Sequence, residues 1–290
     1  MILIIGYLIV LFGTIGGFMI AGGKPLLLFP IAEYIIVIGC ALGMMVIASP
    51  VSLLKAIVRK TKIALRNQAV PTSDYTDMLK LLYELFTKAR RGGLIAIEDD
   101  IITPKESAIF SKYPSFINDS ERVEFLTNSL KPIIDGRLKP EQLASMLEAD
   151  YEAKAEDAHQ PVGILQMVGD SLPGIGIVAA VMGVINTMAV IAVGPEAVGK
   201  KVASALVGTW LGVLGAYGFV NPLAARIKLN NVYELQYYAL IMKGVVGFTG
   251  GMAPIMAVEA ARRMIDPSFQ PSAEEVENMV KSMGSGSSDK

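Results

Sequence analysis

Four stretches of this chain are almost free of charge, and each is long enough to reach across the hydrocarbon of a bilayer. Met1–Ala21, Ile35–Val51 and Val202–Ala225 contain no Asp, Glu, Lys or Arg, and Val162–Val193 contains only Asp170. At 1.5 Å per residue, roughly 20 helical residues cover about 30 Å of lipid tails. Lipid offers no partner to a bare backbone amide, so helix is the conformation such runs must take. Only 18% of the residues are charged, against about 25% in a soluble domain, and the charge is crowded into the middle third. The expected fold is therefore an all-α polytopic membrane protein, with four transmembrane helices and a helical cytoplasmic domain.

Four crossings leave both termini and residues 52–160 on one side, and the links 22–34 and 194–201 on the other. Of the 26 Lys and Arg residues, 16 fall in 52–160 and 7 in 226–290. The two links hold only Lys24, Lys200 and Lys201. The positive-inside rule then places the large loop and both termini in the cytoplasm. Ala239–Ala260 is apolar enough to suggest a fifth span, but it carries Lys243, Glu259 and four glycines, and a fifth crossing would carry Arg262 and Arg263 outside. It reads as an extension of the fourth helix, or as a helix packed on the loop domain.

The function classes open to the chain are few. A net charge of -1 gives no case for nucleic acid as a partner. One cysteine, Cys40, and one histidine, His159, leave neither a disulfide framework nor a metal-ligand cluster, so no metal or other cofactor is expected. There is no HExxH, GxxxxGK[ST] or GxSxG, and no catalytic residue is assigned. The start, Met1-Ile-Leu-Ile-Ile, has no basic segment, so a cleaved signal peptide is not expected.

In the loop, residues 74–96 read as a helix with Asp74 as its cap and Met78, Leu81, Leu82, Leu85, Phe86 and Ala89 on one side. A turn or short helix after Gly92-Gly93 is expected to bring Ile95 and Ile97 inward. Pro104, Pro114, Pro132 and Pro140 divide the rest of the loop into short pieces. Glu141–His159 forms another helix, with Leu143, Met146, Leu147 and Tyr151 on its apolar face. Pro161 separates it from the third span, as a kink and not a true break.

Three motifs carry a resemblance: Asp170-Ser-Leu-Pro-Gly-Ile-Gly-Ile-Val-Ala-Ala-Val-Met-Gly-Val-Ile-Asn-Thr-Met188, Gly208-Thr-Trp-Leu-Gly-Val-Leu-Gly-Ala-Tyr-Gly-Phe-Val-Asn-Pro-Leu223 and Arg90-Arg-Gly-Gly-Leu-Ile-Ala-Ile-Glu98. With the layout of two spans, a loop and two more spans, the chain resembles the A subunit of the bacterial flagellar motor stator, the MotA/PomA family, distantly related to TolQ/ExbB proton-channel proteins. The resemblance covers residues 1–270. It implies a multi-pass protein of the bacterial inner membrane that self-associates into a ring, five copies around two copies of a single-span B subunit of the MotB type. That partner brings the ion-carrying aspartate, and the ring turns against the rotor switch protein FliG. It divides the chain into 1–51 (spans one and two with a short periplasmic link), 52–160 (the rotor-engaging helical domain), 161–225 (spans three and four, lining the ion path) and 226–290 (a C-terminal helix and a disordered tail from Ser282).

The resemblance also assigns residues, each beside a plainer reading. Pro173 and Pro222 would couple ion passage to movement, although proline is common in membrane helices. Asp170 is either a way-station for protons or the structural partner of a helix end. Thr209 would stand beside the ion path, or return its hydroxyl to its own helix. Sodium-type relatives have a second threonine where this chain has Ala180, so proton coupling is expected. Arg90 and Glu98, with Arg91, Asp99 and Asp100 beside them, would meet the rotor, or form a solvated face. Glycines in spans one, three and four suit close helix packing, and spans one and two would face lipid. A TolQ/ExbB-like energiser of outer-membrane processes is the first alternative, though such relatives usually have three spans. A small-solute transporter is the second, and the inverted repeats and midplane polar groups it calls for are not found here.

Overall fold

The structure is a computed structural model describing residues 2–66 and 70–285. Its helices are α1 (Ile2–Ile20), α2 (Ile31–Ile47), α3 (Val51–Arg66), α4 (Thr72–Gly92), α5 (Glu98–Ile102), α6 (Pro114–Ile117), α7 (Ser120–Ile134), α8 (Pro140–Met188), α9 (Pro195–Leu214), α10 (Asn221–Thr249), α11 (Pro254–Arg262) and α12 (Ala273–Ser285). Short 3-10 turns join several of them, and one π-helical turn, Gly215–Val220, lies between α9 and α10. No strand is present among the described residues. Four helical stretches are long and apolar enough to cross a membrane: Ile2–Ile20, Pro25–Ile47, Pro140–Met188 and Pro195–Thr249. The protein is all-α and polytopic.

The chain divides into two compact units, one made of residues 1–68 and 157–230, the other of 69–156 and 231–290. The first contains the apolar spans. α1 buries none of its residues, and Ile2, Ile5, Phe12 and Ile20 stand exposed along it. Such a surface suits lipid and would aggregate in water. Val37 of α2, Leu172 and Ala179 of α8, and Ala216 of the π-turn form one buried cluster. Ile57 and Ala64 of α3 form another with Val162, Leu165, Ala224 and Ile227. α3 is amphipathic: these two residues face inward, while Lys55, Arg59 and Lys62 are exposed.

The second unit has a conventional core. Met78, Leu81, Leu82, Leu85, Phe86 and Ala89 are buried along one side of α4, as the spacing predicts. Leu143 and Leu147 are buried, with Met146 and Tyr151 packed on the same core. The apolar stretch Ala239–Ala260 belongs here. Leu240, Ile241, Val245, Phe248, Ala257 and Val258 all enter this core, and the Phe248 ring stacks on Phe86 with centroids 4.4 Å apart. Most of its apolar side chains are covered by protein, with Met252 and Met256 exposed, which agrees with a helix packed on the loop domain.

Four local expectations are corrected. Asp74 does not cap α4. Pro71 holds that position, and Asp74 is buried and paired with Arg122 at 2.8 Å. Pro132 lies inside the last turn of α7, which continues through it to Ile134 without the N–H that the Asn128 carbonyl would accept. Pro161 makes no true break, as the sequence reading has it: α8 runs through both Pro161 and Pro173. Ile97 is buried, but Ile95 is 74% exposed, since a single 3-10 turn cannot turn both inward. The last helix reaches Ser285, through the first residues of the expected loose tail, and residues 286–290 lie outside those described.

Candidate functional site

Two spans build the first site, and glycine sets their spacing. A Cβ on Gly176 would lie 2.7 Å from the Gly208 carbonyl oxygen, and one on Gly212 would lie 2.5 Å from that of Leu172. On Gly183 it would meet Ala205 Cβ at 2.6 Å. The α8 and α9 backbones therefore touch along several turns, a contact that only small residues permit. Not every expected glycine joins in. Gly13, Gly16, Gly17 and Gly174 have open space where a Cβ would stand.

Thr209 and Ala180 both lie at this crossing, each beside a glycine of the facing helix. A Cβ on Gly208 would lie 3.1 Å from the Ala180 nitrogen, and one on Gly176 would lie 3.2 Å from the Thr209 Cα. Thr209 does not follow the plainer reading of its hydroxyl. Thr14, Thr187 and Thr249 each donate to the carbonyl four residues back, at 2.7, 2.9 and 2.8 Å. The Thr209 hydroxyl makes no hydrogen bond among the described residues. It is a polar group left over in an apolar span.

Roughly 10 to 15 Å along α8 from Ala180, at 1.5 Å of rise per residue, lies a second level holding Pro173 and Asp170. Asn221 Nδ2 donates to Asp170 Oδ1 at 3.1 Å, so the acid of α8 is tied to the residue before Pro222. Gly169 makes room for this contact: a Cβ there would fall 1.9 Å from Asn221 Oδ1. Asp170 itself is exposed, and Asn221 Oδ1 is buried without a partner among the described residues. Both prolines thus flank one interhelical hydrogen bond.

Pro222 also explains the π-turn. Proline lacks the N–H that the Gly218 carbonyl would accept in a regular helix, and the chain widens through Gly215–Val220 just before it. Such turns commonly mark functional positions. α1 supports the widened turn: the Tyr7 hydroxyl donates to the Phe219 carbonyl at 3.0 Å, with the two rings 5.0 Å apart. Sequence reasoning missed Tyr7, Gly169 and Asn221. An Asn next to Pro in an apolar span was the one available signal.

The second site is a charged turn in the other unit. Arg90 and Arg91 are exposed in the last turn of α4, where positive charge complements the helix end. Gly93 then reverses the chain at a φ of +79°, which a side chain would resist. A 3-10 turn, Leu94–Ile97, leads into Glu98 at the start of α5. Arg90, Arg91, Glu98 and Asp99 form no ion pair among the described residues. Asp100 differs. It is buried, accepts from Ser107 Oγ at 2.6 Å and pairs with Lys88 Nζ at 2.7 Å. Its charge holds the turn together, and the free patch is Arg90, Arg91, Glu98 and Asp99. Among the described residues no group of His, Cys, Asp and Glu could hold a metal ion.

The pattern of the motility protein A N-terminal family matches residues 4–93, and that of the MotA/TolQ/ExbB proton channel family matches residues 118–239. Motility protein A of Salmonella typhimurium is 34% identical over 98% of this chain and 96% of its own length. The chain belongs to the motility protein A family. Motility protein A of Escherichia coli is 33% identical over the same shares. Two solved structures have the same fold: C. jejuni MotAB, with a TM-score of 0.75 at 22% identity over 91% of this chain and 95% of that one, and the flagellar MotAB stator complex of Bacillus subtilis, at 0.71, 21%, 94% and 97%.

Proposed function

We propose that this chain is the A subunit of a flagellar stator, driven by protons, lying in the bacterial inner membrane with both termini in the cytoplasm. One observation carries the reading: over nearly its whole length the chain is alike to motility protein A of two bacteria. The geometry agrees with it. The packed pair α8 and α9 presents a free hydroxyl, Thr209, and an acid, Asp170, but no acid at the level of the helix crossing. An ion passing there needs a carboxylate from elsewhere, which a single-span B subunit with an aspartate would supply.

Protonation of that aspartate removes a charge from a low-dielectric interface and lets it pass the apolar face of the spans. One elementary charge falling through 100 mV supplies about 2.3 kcal/mol. Pro173 and Pro222, flanking the Asp170–Asn221 hydrogen bond, are the groups through which this passage would bend the spans. Ala180 offers no oxygen opposite Thr209, which favours a proton relay over a desolvated sodium ion. The unpaired charges of Arg90, Arg91 and Glu98 would steer and register the ring, five copies around two B subunits, on the rotor switch protein FliG.

Swimming tests the proposal. Arg90→Glu and Pro173→Ala should each abolish or strongly reduce motility at normal protein abundance. Replacing external sodium with potassium should leave it intact. Normal swimming by both variants would overturn the residue roles, and loss of swimming without sodium would overturn proton coupling.

A further inference from the structure

Glu33 is a carboxylate in a place the fold closes off. It stands in the first turn of α2, 6% exposed, next to the apolar run that the sequence reads as the second span. Its Oε1 accepts from Ser204 Oγ of α9 at 2.9 Å, while its Oε2 is buried with no partner among the described residues. No cation answers it among the described residues. On α9, Lys200 is exposed and paired with Glu196 at 2.8 Å, and Lys201 is exposed. On the link before α2, Lys24 is exposed. The basic residues of α3 begin at Lys55, beyond the opposite end of α2. On its own helix the Tyr34 hydroxyl is committed to the Leu28 carbonyl at 3.1 Å.

A carboxylate taken from water and given one neutral donor is poorly compensated, because desolvation penalises charge far more than a hydroxyl can return. The missing partner must also be small, since Oε2 is enclosed within this one chain and out of reach of a second copy's side chain. We propose that Glu33 and Ser204 form a binding site for a univalent cation, a proton or a sodium ion, between α2 and α9. It is separate from the path through Pro173, Pro222 and Thr209, and it does not depend on the flagellar reading. The bound cation lets a carboxyl sit between the two helices, and so seats α9, whose Thr209 lies five residues beyond Ser204.

The test is infrared spectroscopy of the purified full-length chain in lipid nanodiscs at neutral pH, with and without sodium. If the cation is a proton, a protonated-carboxyl carbonyl band is present without sodium, is lost in Glu33→Gln and is retained in Asp170→Asn. If it is sodium, a carboxylate band lost in Glu33→Gln shifts when sodium is added. Ser204→Ala, which keeps the carboxyl but removes its donor, should move whichever band is found. The proposal is overturned if Glu33→Gln removes only a carboxylate band that ignores sodium, or if Ser204→Ala leaves every band in place. Should Glu33→Gln prevent recovery of the chain, the Ser204→Ala spectra alone decide between these outcomes.

Discussion

One buried charge, Arg122, links three helices of the second unit. The Arg122 guanidinium pairs with Asp74 at 2.8 Å and Asp119 at 3.2 Å, and lies 4.2 Å from the centre of the Tyr237 ring. Three helices meet on it. Removing one partner of a buried pair strands the other, at a cost of about 3–5 kcal/mol. Arg122→Ala should therefore unfold at a markedly lower temperature. Combined with Asp74→Asn it should lose less than the two single changes added together, a non-additivity that thermal melts of the purified chain would reveal. Glu259 makes a prediction of the opposite kind, in pH. Hydrogen bonds from Arg262, helped by Arg263, lower its carboxyl from the ordinary 4.5 to about 2. A depressed carboxyl stabilises the fold above its unfolded value and loses that contribution as pH falls through its folded one. Glu259→Gln should thus be less stable than the parent at neutral pH, with the gap closing between pH 4.5 and about 2. A gap that stayed constant over that range would remove the ion pairs from the account.

At the scale of elements, the joints are more informative than the helices. The crossing of α8 and α9 works because Gly176, Gly208 and Gly212 leave nothing between two backbones. A side chain at Gly212 would meet a main-chain oxygen, which cannot swing away as a flexible side chain would. Overpacking of this sort costs about 1–3 kcal/mol or more. Gly212→Val should reduce the folded fraction seen by size-exclusion chromatography, whereas Gly174→Ala, with open space at its Cβ, should not. Much of this was legible in the sequence. The α4 face, the turn at Gly93 and the small-residue character of spans three and four all come from spacing. The π-turn was not legible: proline announces a lost hydrogen bond, but whether the helix kinks, breaks or widens depends on what takes the freed carbonyls. Here Tyr7, more than two hundred residues earlier, donates to the Phe219 carbonyl beside the one that Pro222 frees.

For the whole molecule the central expectation is its threading. Cysteines placed at Gly22 and Val198, in the links, should react with a membrane-impermeant reagent added to intact cells. A cysteine at Arg91 should react only after the cells are opened. Equal labelling at all three positions would reverse or abolish the proposed orientation. The sequence by itself determined the fold class, the number of spans and the expected direction of insertion, because lipid is a uniform solvent that responds to the presence or absence of charge along the chain. Only the tertiary structure decided that Asp170 is tied to Asn221, that Asp74 and Asp100 are structural partners while Arg90 and Glu98 are free, and that Ala239–Ala260 lies in a protein core. Each of those depends on which faces of distant helices come together, and no one-dimensional pattern records that.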